Sequence, residues 1–171
     1  MSSIPTTHMS SLARFAVRID HVAIAVRNLE ESLAFYHGVL GFEVAEQRTT
    51  IGRETGMISA VLQGGQITVV LIQGTSPDSQ VSRYVENYGP GVQHIAIEVR
   101  DLLEVRDELA KAGLEFNTGV INGTGIRQSF TARDPGSGMM YEFIERQTND
   151  GHFSDESVLE LFRQLEVKGA Y

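Results

Sequence analysis

Three residues in this chain have the types and placing to hold a metal ion. His21 opens the run His21-Val22-Ala23-Ile24-Ala25-Val26, and His94 opens His94-Ile95-Ala96-Ile97-Glu98-Val99, at an offset of 94 − 21 = 73 residues. Apolar side chains alternate through both runs, as in strands with one buried face. Glu142 lies within Met139-Met140-Tyr141-Glu142-Phe143-Ile144, which is otherwise apolar. A buried carboxylate needs a partner, and a metal ion is an efficient one. A single strand histidine is ordinarily structural. Two at duplicated positions, joined by an in-strand glutamate, make a ligand set. Two neutral imidazoles and a carboxylate suit one divalent ion, Zn(II), Mn(II), Co(II), Ni(II) or Fe(II), and leave coordination positions open for a substrate. Imidazoles ligate only when neutral, so an ordinary pKa of about 6.5 predicts weaker metal binding below roughly pH 6.

The duplication extends beyond the histidines. After the first strand each copy has an amphipathic helical segment, ending at Leu40-Gly41-Phe42-Glu43-Val44 and Ala112-Gly113-Leu114-Glu115-Phe116, where the offset is 116 − 44 = 72. Such self-similarity marks a repeated supersecondary unit. The first copy reads as strand 18–27, a helix from Leu29 to Val39 capped by Asn28, and strands 42–49, 57–63 and 66–73. Leu29, Leu33, Tyr36 and Leu40 have helical spacing and are expected to face the sheet. Gly64-Gly65 is a hairpin turn between the last two strands. A linker helix over 79–88 follows. The second copy reads as strand 92–99, helix 102–112 capped by Asp101, and strands 114–120, 126–133 and 139–146. The order is βαβββ twice. A final helix over 155–167 carries Val158, Leu161, Phe162 and Leu165 on one face and must lie against something.

The 171 residues give one domain's worth of core, with a net charge of −8 and no cysteine. Disulfides, thiolate metal sites and a cysteine nucleophile are thereby excluded, and a cytoplasmic setting fits. The acidic balance argues against nucleic acid as a partner, since phosphate binding needs clustered Lys and Arg. No apolar run is long enough to suggest a membrane span. Residues 1–17, rich in Ser, Thr and Met, read as a flexible N-terminal tail, with His8 solvated. The expected organisation is that tail, a domain over 18–147 built of modules 18–74 and 91–147, and a C-terminal helical extension over 148–171.

Four stretches carry a family likeness: Asp20-His21-Val22-Ala23, Phe35-Tyr36 with Leu40-Gly41-Phe42, Gly91-Val92-Gln93-His94-Ile95-Ala96, and Tyr141-Glu142-Phe143. Over 18–171 the chain resembles the vicinal oxygen chelate superfamily, which contains glyoxalase I, methylmalonyl-CoA epimerase, extradiol dioxygenases and 4-hydroxyphenylpyruvate dioxygenase. The resemblance implies an α+β fold in which paired βαβββ modules curl into an open barrel around a metal. Carried over by position, the ligands are again His21, His94 and Glu142.

Within the superfamily three branches are similar to parts of the chain. Thr75-Ser76-Pro77-Asp78-Ser79 and the following helix look like methylmalonyl-CoA epimerase, but Val70 and Ser59 stand where that enzyme carries a fourth ligand and a glutamate base. The Gly89–Ala96 motif and the tail from Glu145 through His152-Phe153 look like the catalytic half of 4-hydroxyphenylpyruvate dioxygenase. There, Ile72 replaces a substrate-pocket asparagine and the 117–138 region is short. Both sets of signals are similar to the 2-epi-5-epi-valiolone epimerases. Their likeness implies a metal-dependent epimerase inverting a stereocentre beside a carbonyl on a cyclitol ketone, in antibiotic biosynthesis. The enzyme alternative is an Fe(II) dioxygenase of a 2-oxo acid, and the non-enzyme alternative an antibiotic-binding resistance protein. Glu142 and His152 are the candidate proton-transfer residues, with Glu46, Glu54 and Glu145 as further possibilities. Ser59 and Gln128 are the candidate substrate-binding residues of a polar ketone; Gln66, Thr68 and Ser129 are further polar strand positions. Arg53, Arg127 and Arg133 read as exposed strand arginines that could alternatively bind an anion. Single-chain members of this superfamily often pair, so a homodimer is expected.

Overall fold

A computed structural model describes residues 11–169. The elements are α1 (Ser11–Phe15), β1 (Ala16–Ala25), α2 (Leu29–Tyr36), β2 (Glu43–Ile51), β3 (Gly56–Gly64), β4 (Ile67–Gly74), α3 (Gln80–Tyr88), β5 (Gly91–Val99), α4 (Leu102–Lys111), β6 (Ile121–Asn122), β7 (Ile126–Phe130), β8 (Met140–Arg146) and α5 (Asp155–Lys168). Eight strands form one sheet in the order β2-β3-β4-β1-β5-β8-β7-β6. The first strands of the two modules, β1 and β5, run antiparallel at its centre. Each pairs on its other side with the last strand of its own module, β1 with β4 and β5 with β8, both parallel. The sheet curls into an open barrel, as the paired-module reading predicts.

The duplication is written into the contacts. Asn28 and Asp101 cap α2 and α4 alike, each side chain accepting from the backbone N–H three residues on. Just behind each cap, a side-chain oxygen from the module's last strand accepts from the first helical N–H: Gln73 from Leu29 at 2.6 Å and Glu145 from Leu102 at 2.8 Å. Helix ends leave such donors unpaired unless something reaches them. Strand alternation then divides each sheet face. On β4, Val69 and Leu71 pack outward with Leu29, Leu33 and Tyr36 of α2, and on β8 Tyr141 and Phe143 pack outward with Leu102 and Val105 of α4. The intervening Val70, Ile72, Met140 and Glu142 line the barrel interior.

The structure corrects several expectations. Residues 11–17 are not tail: Ser11–Phe15 form α1, whose Leu12 and Phe15 pack on the Val99–Leu102 core, and β1 begins at Ala16. The remainder of the expected tail, with His8, lies outside the described residues. α2 ends at Tyr36, so Leu40 falls beyond it and is 52% exposed. The strand expected over 114–120 does not form; only a bridge from Phe116 to Thr131 and the two-residue β6 stand there. Thr118 explains this, because its hydroxyl accepts from Phe130 N while Asn117 N and Thr118 N both point at Phe130 O. A side chain that takes over a ladder position stops the ladder.

The stripe on α5 has its partner. Val158, Phe162 and Leu165 are buried, and with Leu161 they close one side of the barrel interior. The helix is tied to both modules. Glu166 Oε1 accepts from Glu54 N, Thr55 N and Thr55 Oγ1, and Gln164 Oε1 accepts from Gly119 N at 2.7 Å. Among the described residues no helix is long and apolar enough to cross a membrane.

Candidate metal centre

His21, His94 and Glu142 come from three adjacent central strands, and the register explains why they meet. Ala96 on β5 is the partner of His21 on one side and of Glu142 on the other, while Ala23 on β1 is the partner of His94. Both alanines are fully buried. Their small side chains leave the room that the imidazoles and the carboxylate occupy. One ligand atom from each of the three residues lies within 4.8 Å of the others. Glu142 Oε2 stands 3.3 Å from His21 Nε2 and 3.4 Å from His94 Nε2.

The residue before each histidine is a bulge. The β1–β5 register skips Asp20 between Ile19 and His21, and skips Gln93 between Val92 and His94. A regular strand would send neighbouring side chains to opposite faces, whereas a bulge re-aims one of them. Asp20 and His21 are therefore both buried, with Asp20 Oδ1 3.0 Å from His21 Nδ1. Gln93 Oε1 makes the matching contact with His94 Nδ1. With Nδ1 held from behind, each ring turns Nε2 toward Glu142, a usual arrangement for metal-ligating histidine.

The two histidines have opposite electrostatics. Burial disfavours a charged His21, but hydrogen bonds and charges from Asp20 and Glu142 overcome it and raise its pKa to about 9. Burial holds His94 below its ordinary value, since its backing group is a neutral amide. Glu142 is buried too, yet the histidines keep its carboxyl below the usual range. Asp20 is held well down against burial by His21 and by Arg146, whose Nε lies 2.8 Å from Oδ2. Glu142 Oε1 is buried without a hydrogen-bond partner among the described residues. Glu142 thus sets Oε2 between the two ring nitrogens and leaves Oε1 buried without a donor, a shortfall that a cation among the three side chains would make good. The residues fit a divalent ion.

Around the triad is a cavity of about 250 Å³. Ser59, Gln128, Glu46, Thr68 and His152 are among the residues that line it. His152 does so from an exposed position at the mouth, with Nδ1 on the carbonyl of Asp150. Other expected groups lie elsewhere. Glu145 is spent on Leu102 N and Arg127, Ser129 contacts Arg106 and Thr118, and Arg133 lies over the Tyr84 ring. Glu54 and Arg53 lie by a separate surface hollow near α5, and Gln66 is exposed in the β3–β4 turn. Gln80 was not foreseen: it opens α3, is buried, and points an unpartnered Oε1 at the same cavity that Gln128 faces with an unpartnered Nε2. Its place at the start of a linker helix gave no sign of this.

The triad, its bulges and the paired modules agree with a match between residues 18–143 and the family model of the glyoxalase/bleomycin resistance protein/dioxygenase superfamily. The chain belongs to this superfamily. Among the relatives of this superfamily domain, an ethylmalonyl-CoA/methylmalonyl-CoA epimerase of Cereibacter sphaeroides is 35% identical over 97 residues, 56% of this chain and 71% of the epimerase. A 4-hydroxyphenylpyruvate dioxygenase of Legionella pneumophila is 29% identical over 103 residues, 57% of this chain and 30% of the dioxygenase. A variant of 4-hydroxymandelate synthase from Streptomyces coelicolor superposes with a TM-score of 0.80 over 90% of this chain and 55% of its own. At 22% identity that likeness concerns the fold. The chain thus spans only part of several relatives, and it shares with epimerases and dioxygenases alike the domain that holds the triad.

Proposed function

We propose that the chain is a metal-dependent epimerase that inverts a stereocentre beside a carbonyl, with a cyclitol ketone such as 2-epi-5-epi-valiolone as its substrate. The observation that carries this reading is the lining of the triad cavity. Outside the triad its buried polar atoms without a partner are neutral, Gln80 Oε1 and Gln128 Nε2 among the described residues. Its two arginines are spent: Arg48 on Glu46, Asp155 and the Phe153 carbonyl, Arg146 on Asp20 and the Gly151 carbonyl. Amides and hydroxyls lining the barrel interior suit a ring bearing several hydroxyl groups, because each buried polar atom gains a partner when it binds. The volume suits one ring rather than a long acyl carrier.

A divalent ion held by His21, His94 and Glu142 would supply Lewis acidity, making the carbon beside the ketone more acidic. The chain's own residues do the rest. Glu142 Oε1, without a protein donor, is the atom placed to take the proton. Among the described titratable groups of the lining, His152 at the mouth is in no ion pair and can return it, whereas Glu46 is held by Arg48. Ser59, Gln80 and Gln128 orient the ring through its hydroxyls. Val158, Leu161, Phe162 and Leu165 exclude water from the interior. A thioester epimerase of the related kind is less well served, because Val70 lines the cavity where a fourth ligand would be needed and offers none.

A second reading has one specific observation in its favour. Two histidines and one carboxylate with open positions also suit an Fe(II) oxygenase acting on a 2-oxo acid. Loading the protein with Zn(II) or with Fe(II) in an oxygen electrode separates the two. An epimerase turns over with Zn(II) and consumes no oxygen. Activity confined to Fe(II), with oxygen taken up at each turnover, would replace the epimerase reading by the dioxygenase one.

A further inference from the structure

The two halves of the site are backed differently, and only one backing leaves the barrel. On the His94 side the amide of Gln93 ends the chain of contacts. On the His21 side, Asp20 passes the contact on to Arg146, whose Nε donates to Oδ2 at 2.8 Å while Nη1 donates to the Gly151 carbonyl at 2.6 Å. Gly151 begins the segment that leads into α5. Two residues later, the Phe153 ring stands edge-on to His21, with centroids 5.8 Å apart. The module-one counterpart of Arg146, by strand register, is Gly74. A Cβ there would meet Ser79 Oγ at 2.0 Å, so no side chain could make the equivalent link.

We propose that Asp20 and Arg146 are positioning residues that couple the metal affinity of His21 to the seating of the C-terminal segment. Asp20 fixes the His21 ring with Nε2 turned to the triad. The guanidinium fork holds Asp20 and Gly151 at once, so displacing the segment loosens the ring, and ordering the ring holds the segment down. Bidentate geometry of this kind belongs to arginine and not to the point charge of lysine. Coupling between two sites is reciprocal: whatever α5 contributes to metal binding, metal binding returns to α5. The inference rests on the metal reading of the triad and is independent of which reaction the site performs.

The test is calorimetric titration of the full chain with Zn(II), together with backbone hydrogen exchange over Asp155–Lys168. Wild type should bind one Zn(II) per chain. Asp20→Asn, nearly isosteric, and Arg146→Gln should each weaken binding about 10- to 100-fold, the usual effect of losing an outer partner of a ligating histidine. Because both act through one relay, the double variant should be little worse than the weaker single. Arg146→Lys, which keeps a charge beside Asp20 but not the fork to Gly151, should recover the affinity only in part and should not restore the slowing of exchange in α5 by Zn(II). Zn(II) should slow exchange in α5 of wild type, and that slowing should be lost in Arg146→Gln. Glu166→Ala unfastens α5 from Thr55 without touching a ligand, and it should weaken Zn(II) binding by about threefold or more. Affinities of Asp20→Asn and Arg146→Gln within twofold of wild type would overturn the proposal. So would α5 exchange indifferent to Zn(II), or an unchanged affinity in Glu166→Ala. Wild type that binds no Zn(II), Co(II) or Fe(II) would overturn the metal reading itself, and the relay with it.

Discussion

His21 and Glu142 meet Nε2 to Oε2 at 3.3 Å, and in the metal-free protein a proton on His21 sits between two carboxylates. Asp20 and Glu142 hold that proton against burial, raising the His21 pKa to about 9. A folded-state pKa above the unfolded value of about 6.5 gives stability that is complete below pH 6.5 and lost as pH rises through 9. Within that window the other buried groups of the site do not titrate, since His94, Glu142 and Asp20 are all shifted downward. Chemical denaturation in the presence of EDTA should therefore show stability declining from pH 6.5 to 9. With Zn(II) bound the decline should disappear, because the metal replaces the proton.

The same proton competes with the metal. Apparent Zn(II) affinity should keep rising, about tenfold per pH unit, up to pH 9. The histidine sequence by itself predicts a levelling near 6.5. Titrations at several pH values read the difference directly.

Ala96 is the floor of the centre, paired with both His21 and Glu142. Ala96→Val adds bulk where the ligands converge, and overpacking of this kind costs about 1–3 kcal/mol. The variant should fold with a lowered melting temperature and bind Zn(II) at least tenfold more weakly. His21→Ala, His94→Ala and Glu142→Ala should each fold and lose bound metal. Metal analysis of the purified variants checks the series.

Val70 is the module-one counterpart of Glu142: it pairs with Ala23 as Glu142 pairs with Ala96, and it lines the same cavity. Val70→Glu buries a carboxylate there. Without metal the variant should lose on the order of 3 kcal/mol. With Zn(II) it should recover that loss and bind more tightly than wild type, while turning over more slowly because a substrate position is filled. Thermal melts with and without Zn(II) decide it.

A homodimer is expected. β4 pairs only with Val22–Ala25 of β1, and on the earlier part of β1 Val17 and Ile19 are 49% and 59% exposed. An open strand edge carrying apolar side chains invites a partner. Light scattering at micromolar concentration should give twice the chain mass, and Ile19→Lys should shift it toward the monomer.

Much of this site was legible in the sequence, for a physical reason. A duplicated His-x-Ala in strands and a charge in an apolar strand are patterns that survive without knowing the fold, although β1 and β5 begin several residues before their histidines. The groups that tune the ligands were not legible. Strict alternation puts Asp20 and Gln93 on the far face from their histidines, and only the two bulges bring them in. Arg146 reads as a surface arginine at a strand end until the β1–β8 distance is known. The missing strand at 114–120 failed for a similar reason, because Thr118 has strand propensity but spends its hydroxyl on Phe130 N. Helix α5 announced its apolar stripe but not what the stripe would cover.

Proton transfer beside a ketone leaves an isotopic mark. The Zn(II)-loaded protein is incubated with 2-epi-5-epi-valiolone in deuterated buffer, without oxygen, and the ring is followed by NMR. Deuterium should enter at the carbon beside the carbonyl as the epimer forms, with neither exchange nor epimer in Glu142→Ala. A ring that stays undeuterated with Zn(II), while the Fe(II)-loaded protein releases carbon dioxide from a 2-oxo acid in air, would contradict the epimerase reading.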